Sequence, residues 1–132
     1  MGLDNGIRLK TRKTIEDIAE YTTVHRNEYN KDEIEYEICY WRKCWNIRSM
    51  IFQMMNKDSN AMSDDYELSI ESLKKIRIGI YQLICNPDLW DGSIWTFEEM
   101  LPHLAQDLVN LSWLIDYLRN DTTAYACFYD SY

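Results

Sequence analysis

The chain has 132 residues, of which 46% are hydrophobic and 14% aromatic, and it contains only four Gly and two Pro. This composition excludes a disordered, collagen-like or low-complexity protein and predicts a single domain over residues 1–132. The formal net charge of −8 argues against general binding to nucleic acid or to an anionic membrane, because both need concentrated Lys and Arg.

The N-terminal part of the chain predicts a strand and then a helix. Residues 7–10, Ile-Arg-Leu-Lys, alternate apolar and basic side chains, which is typical of a short half-buried strand. Thr14 is a candidate helix N-cap with Asp17 three positions further on, so a helix is expected over roughly residues 15–29. Asp32 is expected to cap the helix that follows.

A long second helix is predicted from Asp32 to about Met55. Apolar side chains recur there at the spacing of one helical face: Ile34, Ile38, Trp41, Trp45, Phe52 and Met55. The polar run 56–65 then predicts a loop. This helix is expected to lie at the centre of the core.

Two further helices and a short strand are predicted in the second half of the chain. Residues 66–68 are read as a strand, and Ser69 as the N-cap of a helix that ends at Asn86-Pro87. Thr96 and Glu99 have the spacing of a capping box, so a helix is expected to begin at Thr96.

That last helix carries a seam of apolar residues suited to packing along a neighbouring helix: Leu101, Leu104, Leu108, Leu111, Ile115 and Leu118. Pro102 is expected to bend it. Residues 122–132, which include three Tyr and one Phe, have the composition of a strand or a docking segment. The predicted fold is therefore mainly α, with about four helices packed as a bundle and a small β ribbon formed by residues 7–10, residues 66–68 and the C-terminal segment.

The cysteines predict neither disulfides nor a metal site. The chain begins without the apolar core of a signal peptide, so Cys39, Cys44, Cys85 and Cys127 are expected to be free thiols in a reducing cytosol. No CxxC or HxxxH spacing accompanies them, and no metal or other cofactor is expected. No apolar stretch is long enough to cross a membrane, which predicts a soluble protein without a membrane partner.

Catalytic motifs are also missing from the sequence. The two histidines, His25 and His103, have no Ser, Cys or carboxylate at a recognisable motif spacing. The four glycines, at positions 2, 6, 79 and 92, cannot form a Gly-rich phosphate loop. We therefore expect a protein that is not an enzyme.

Charge is distributed unevenly along the chain. Residues 1–13 hold four basic side chains and one acidic one, whereas residues 78–132 hold one basic side chain and eight acidic ones. The two ends can attract each other within the fold. Alternatively, the acidic half and the aromatic residues Tyr125, Tyr129 and Tyr132 can present a surface to a basic protein partner, including one that ordinarily binds nucleic acid. Self-association is a further option, while direct binding to nucleic acid is not expected.

An aromatic and basic cluster is the best candidate for a ligand-binding site. Its members are Trp41, Arg42, Lys43, Trp45 and Arg48. On a helix, Trp41 would meet Trp45, with Arg48 close to both, and such a stacking surface edged by cations suits a nucleobase and its phosphates. The alternative is that both tryptophans belong to the core while the basic residues pair with nearby acids or reach water.

Two segments, Met-Gly-Leu-Asp-Asn-Gly-Ile at 1–7 and Tyr-Trp-Arg-Lys-Cys-Trp-Asn-Ile-Arg at 40–48, resemble a family of small proteins encoded by tailed phages and prophages. That family opens with a GLD segment and carries a YWRK helix. The resemblance implies a protein made in the cytoplasm of an infected bacterium. With the missing catalytic motifs, it favours a non-catalytic phage protein that binds and blocks a host component. The alternative is a small-ligand binder that sequesters a phosphorylated, nucleotide-like host molecule.

Overall fold

The computed structural model describes residues 4–15, 24–26, 32–55, 66–91 and 94–131. Its strands are β1 (Asp4–Thr11), β2 (Val24–Arg26), β3 (Ile34–Arg42), β4 (Tyr66–Leu68) and β5 (Tyr125–Ser131). Its helices are α1 (Trp45–Met54), α2 (Ile70–Cys85) and α3 (Phe97–Asn120), and a 3-10 turn spans Pro87–Leu89.

The strands form one antiparallel sheet in the order β2-β3-β1-β5-β4. The N-terminal strand β1 lies in the centre and pairs with β3 on one side and with the C-terminal strand β5 on the other. The two ends of the chain are therefore neighbours in the sheet. This arrangement needs long-range pairing, which local sequence patterns do not specify.

The core lies between the sheet and the helices. Ile7, Leu9 and Phe128 are fully buried on the sheet side, while Leu73 of α2 and Leu111 of α3 are fully buried on the helix side. Alternation along β1 places Ile7 and Leu9 on the buried face together with the polar Asn5 and Thr11, and it places Arg8 and Lys10 on the other face.

The prediction of a mainly α four-helix bundle is wrong, because the structure is an α/β fold in which three helices accompany an antiparallel sheet. The predicted β ribbon is confirmed, since residues 7–10 lie in β1, residues 66–68 form β4, and β5 lies between these two strands. The sheet is wider than predicted because it also contains β3 and β2.

The predicted helix from Asp32 to about Met55 is also wrong, because it divides into strand β3 and the shorter helix α1. Ile7 pairs with Cys39 and Arg8 with Glu37, so Ile38 is the extra residue of a β-bulge. A bulge shifts the alternation of a strand by one position. The buried residues therefore follow the spacing of one helical face, which is why the sequence predicts a helix here.

The helix expected over residues 15–29 is wrong at Val24–Arg26, which is strand β2 and pairs with β3. The remainder of that prediction from residue 16 onward, and the loop expected over 56–65, lie outside the described residues.

The predicted starts of the last two helices are confirmed. The Ser69 hydroxyl accepts a hydrogen bond from the Ser72 amide at 3.1 Å, which caps α2. Thr96 and Glu99 form the expected capping box at the start of α3. Helix α3 continues through Pro102 as far as Asn120.

Candidate ligand pocket

The pocket lies along the free edge of β3. In the described part of the chain, β2 pairs only with residues 34–36 of β3, so the second half of this strand has an edge without a strand partner. Side-chain donors bind its carbonyl oxygens instead. The Asn110 amide donates to the Ile38 carbonyl at 3.0 Å, and the Trp95 indole donates to the Arg42 carbonyl at 2.8 Å. These contacts protect backbone groups that would otherwise be available to another strand.

A cavity of about 570 Å³ lies between this edge and the N-terminal part of α3. Its lining consists of Tyr40, Trp41, Arg42, Cys44, Trp95, Glu99, Met100 and His103. Three of these side chains are aromatic, and only a few are charged. A cavity of this size, with apolar walls and a small number of polar groups, is typical of sites that bind small molecules.

Asp107 connects the wall of the pocket to the core. The buried Trp41 indole donates a hydrogen bond to Asp107 Oδ2 at 2.7 Å, and His103 Nδ1 lies 3.1 Å from the same oxygen. The hydrogen bond with Asp107 raises the pKa of His103, although burial lowers it, and the charge of Asp107 and the backbone of Tyr40 raise it further. His103 is therefore held as a cation over a wider pH range than a free histidine.

Cys44 is the thiol of the pocket. Burial raises the pKa of Cys44 to about 11, and the charge of Asp107 raises it too, so the thiol is protonated at neutral pH. A protonated thiol is a poor nucleophile. Because His103 Nδ1 already faces Asp107 and Cys44 is protonated, the arrangement is better suited to holding a ligand than to attacking one.

The five residues of the predicted aromatic and basic cluster do not share one helix face, so the expected contact of Trp41 with Trp45 on a helix is wrong, whereas Arg48 does lie close to Trp45, with its guanidinium 5.7 Å from the ring centre. Trp41 and Arg42 belong to β3 and line the pocket. Lys43 lies in the turn after it with a φ of 54°. Trp45 begins α1 with an exposed ring, and Arg48 lies one turn further on.

Arg48 has a structural partner in the core. Its Nε lies 3.0 and 3.1 Å from the two carboxylate oxygens of Asp130, and its Nη2 lies 3.0 Å from Oδ2. The Arg48 and Asp130 side chains are only 3% and 0% exposed. For this residue the structure supports the alternative interpretation, in which a basic side chain pairs with an acid.

Sequence reasoning missed seven residues of the site: Tyr40, Cys44, Trp95, Glu99, Met100, His103 and Asp107. One signal was available for the last two, because a His and an Asp four positions apart lie on the same side of a helix. No local signal could have placed α3 beside β3. This contact joins segments that are far apart in the chain.

Some sequence-based expectations concern metals, thiols and membranes. Among the described residues there is no group of three or more His, Cys, Asp or Glu side chains that could hold a metal ion. The four cysteines are free thiols, and Cys85 is exposed. In the part of the chain that the structure describes, every helix is too short or too polar to cross a membrane.

Comparison with known proteins gives no relative, since no family model, curated protein or solved structure matches the chain. The resemblance to small phage proteins therefore stays a prediction. The functional argument rests on the geometry of the pocket.

Proposed function

We propose that this protein binds a small planar molecule that carries an anionic group, in the pocket between β3 and α3. The observation that carries the proposal is the combination of three aromatic side chains with two basic ones, His103 and Arg42, around one cavity of about 570 Å³. A phosphorylated, nucleotide-like host molecule has both chemical features, and its sequestration is the role that we assign to the pocket.

The aromatic lining supports the planar part of the ligand. Trp41 is buried and its indole nitrogen is held by Asp107, so this side chain is a fixed part of the wall. The Trp95 indole is held by the Arg42 carbonyl, whereas the Tyr40 ring is exposed. Tyr40 and the half-buried Trp95 are therefore the rings on which a base can stack, and such stacking contributes about 1–3 kcal/mol per base and tolerates different bases.

The charges of the lining support the anionic part. Arg42 is exposed, and the hydrogen bond with the buried Asp107 raises the pKa of His103 and so favours its protonated form. Glu99 is the acidic residue of the lining, but its carboxylate accepts a hydrogen bond from the Thr96 amide at 3.2 Å within the capping box of α3. The helix dipole stabilises a negative charge at this position. Arg42 and His103 are therefore the groups available to an anion.

The other function predicted from the sequence, blocking a host protein through the acidic half of the chain, has less support. Of the eight acids in residues 78–132, Asp107, Asp121 and Asp130 are buried. The Tyr125 and Tyr129 hydroxyls donate hydrogen bonds to glutamates of the same chain. Both observations reduce the acidic and aromatic surface that a basic host protein could contact. It stays a prediction, and recovery of a host protein with the tagged chain would test it.

The test of the pocket is isothermal titration calorimetry with a nucleoside monophosphate, the matching nucleoside and inorganic phosphate. We expect the monophosphate to bind more tightly than either of its parts. Arg42→Gln and His103→Gln should each weaken binding of the monophosphate by about tenfold, which corresponds to the loss of one charge-assisted hydrogen bond. Binding of the nucleoside should change little.

The matched control is Arg77→Gln, since Arg77 lies on α2 outside the pocket. This variant should bind the monophosphate like the original chain. Absence of heat and of thermal stabilisation at millimolar monophosphate would reject the proposal. Equal weakening by Arg77→Gln would also reject it, because the anion would then be responding to the overall charge of the protein.

A further inference from the structure

Helices α2 and α3 expose an apolar face on the side away from the sheet. Ile78 and Tyr81 of α2 and Val109 of α3 are between 56% and 62% exposed, which is high for large apolar side chains. A groove of about 320 Å³, lined by Arg77, Ile78, Tyr81, Leu108 and Ser112, lies between the two helices. We name these two exposed helix surfaces and their groove the α2–α3 face. An apolar patch of this kind is typical of an interaction surface.

The two helices run antiparallel on this face. Arg77 donates a hydrogen bond to Ser112 at 3.1 Å, and Tyr81, one turn later on α2, lines the groove beside Leu108, one turn earlier on α3. The start of α2 therefore lies beside the end of α3. The face thus has two ends that can be compared for charge.

Opposite charges stand at nearly equal distances from the centre of the face. On α3, Glu98 lies 11 residues before Val109 and Arg119 lies 10 residues after it, so the two are about 16 and 15 Å from it along the helix. On α2, Lys74 lies 7 residues before Tyr81, and Asp88 lies 7 residues after it, in the 3-10 turn.

We propose that the α2–α3 face binds a second copy of this chain, about a two-fold axis that lies in the plane of the face and crosses the helices near Tyr81 and Val109. Such an axis reverses the direction along the helices. It places Glu98 of one copy opposite Arg119 of the other, and Lys74 opposite Asp88, and each contact occurs twice. It also covers Ile78, Tyr81 and Val109 with the same apolar residues.

The charged side chains at the ends of the face are available for these contacts. Arg119 and Lys74 take part in exposed pairs with residues three positions earlier on their own helices, Asp116 and Glu71. Exposed pairs of this kind contribute little to stability, so they can rearrange. The net charge of −8 opposes association, but charges farther apart than about 8 Å are largely screened at physiological ionic strength.

Sedimentation equilibrium of the full chain tests the proposal. At roughly 50 µM chain, we expect the mass of a dimer, and Val109→Lys should shift the population to monomer because it places two like charges at the two-fold axis. Ile94→Lys is the matched control, since Ile94 is also exposed but precedes α3. A monomeric original chain would overturn the proposal, as would equal effects of the two variants.

A charge exchange tests the orientation of the two copies. Glu98→Lys and Arg119→Glu should each weaken the dimer, because each brings like charges together at both ends. An equimolar mixture of the two variants should form a mixed dimer, because every contact then again joins opposite charges. Mixing without recovery of the dimer would overturn the proposed axis. Unchanged melting of each variant at a dilution where it is monomeric shows that the chains are folded.

Disulfide capture tests whether Val109 lies at the axis. In a Cys85→Ser background, which removes the exposed thiol, Val109→Cys should form a disulfide-linked dimer under mild oxidation, because a residue at a two-fold axis meets its own copy. Ile94→Cys in the same background should stay monomeric. If only a different protein from a lysate covers this face, all three measurements fail and the proposal is wrong.

Discussion

Two charged pairs lie at opposite ends of a row of paired residues in the sheet and differ in burial. They are Arg48–Asp130, here called the sealed end, and His103–Asp107, here called the open end. Trp41, Asn5 and Asp130 are directly opposite one another across β3, β1 and β5. At the β5 end, Asp130 meets Arg48 in the core. At the β3 end, Trp41 meets Asp107, which in turn meets His103 at the pocket.

The difference in burial assigns different roles to the two ends. Arg48 of α1 is buried and pairs with Asp130 of β5, so it holds α1 on the sheet. Its guanidinium also lies 4.5 Å from the centre of the Phe52 ring on the same helix. The His103 side chain is 42% exposed and shares the pocket wall with Arg42. A charge pair buried in the core holds one structure, whereas a pair exposed at a pocket can change its protonation with pH and can bind an anion.

The largest loss of stability is expected when the Arg48–Asp130 pair at the sealed end is broken. Arg48→Met should lower the free energy of unfolding by about 3–5 kcal/mol, because it leaves Asp130 buried without a cation. The control is Lys74→Met on α2. Lys74 pairs with the exposed Glu71 at 3.3 Å, so its replacement should cost less than about 1 kcal/mol. Urea unfolding measures both, and equal losses would refute the distinction between buried and exposed pairs.

The second prediction concerns the hydrogen bond between Trp41 and Asp107, which links the core to the pocket. Trp41→Phe keeps an aromatic ring but removes the indole donor from Asp107, which should cost about 1–3 kcal/mol. Trp45→Phe is the matched control, because the exposed Trp45 should lose less than about 0.5 kcal/mol. Thermal melting compares the two. A larger loss in Trp45→Phe would show that the exposed ring, and not the buried indole, holds this region together.

The sequence predicts the parts of this fold that depend on local signals. Ser69 and the Thr96 and Glu99 pair locate two helices because N-caps satisfy free amides close by in the chain. The alternation at residues 7–10 similarly predicts β1. Strand β3 is mistaken for a helix because the extra residue Ile38 disrupts its alternation.

The site is less predictable than the fold because its residues come from distant segments. The sequence predicts Trp41 and Arg42 as site residues from their aromatic and cationic chemistry, and both line the pocket. His103 and Asp107 gain their importance only when α3 lies beside β3. Arg48 has the same chemistry as Arg42, and only the sheet pairing that brings β5 beside β1 gives it Asp130 as a partner.

The third prediction is that the stability contributed by the His103–Asp107 pair depends on pH. Because the folded pKa of His103 is raised, its pair with Asp107 stabilises the protein fully below the unfolded pKa of about 6.5 and loses this effect as pH rises through the folded pKa. Since His103 is exposed, the contribution should be below about 1 kcal/mol. Urea unfolding of His103→Gln and the original chain should therefore differ more at pH 5.5 than at pH 9. A constant difference would contradict this linkage.

The smallest change in stability is expected at Lys43, in the turn that joins β3 to α1. Lys43 has a φ of 54°, a left-handed conformation that Gly adopts without the steric cost of a Cβ atom. Lys43→Gly should raise the free energy of unfolding by about 0.5 kcal/mol, since relief of strain exceeds the greater entropy of Gly in the unfolded chain. Lys43→Ala keeps the Cβ atom and should give no such gain. If both variants are equally stable, the turn is not strained. If Lys43→Gly also keeps full affinity for the monophosphate, the cation at position 43 takes no part in binding.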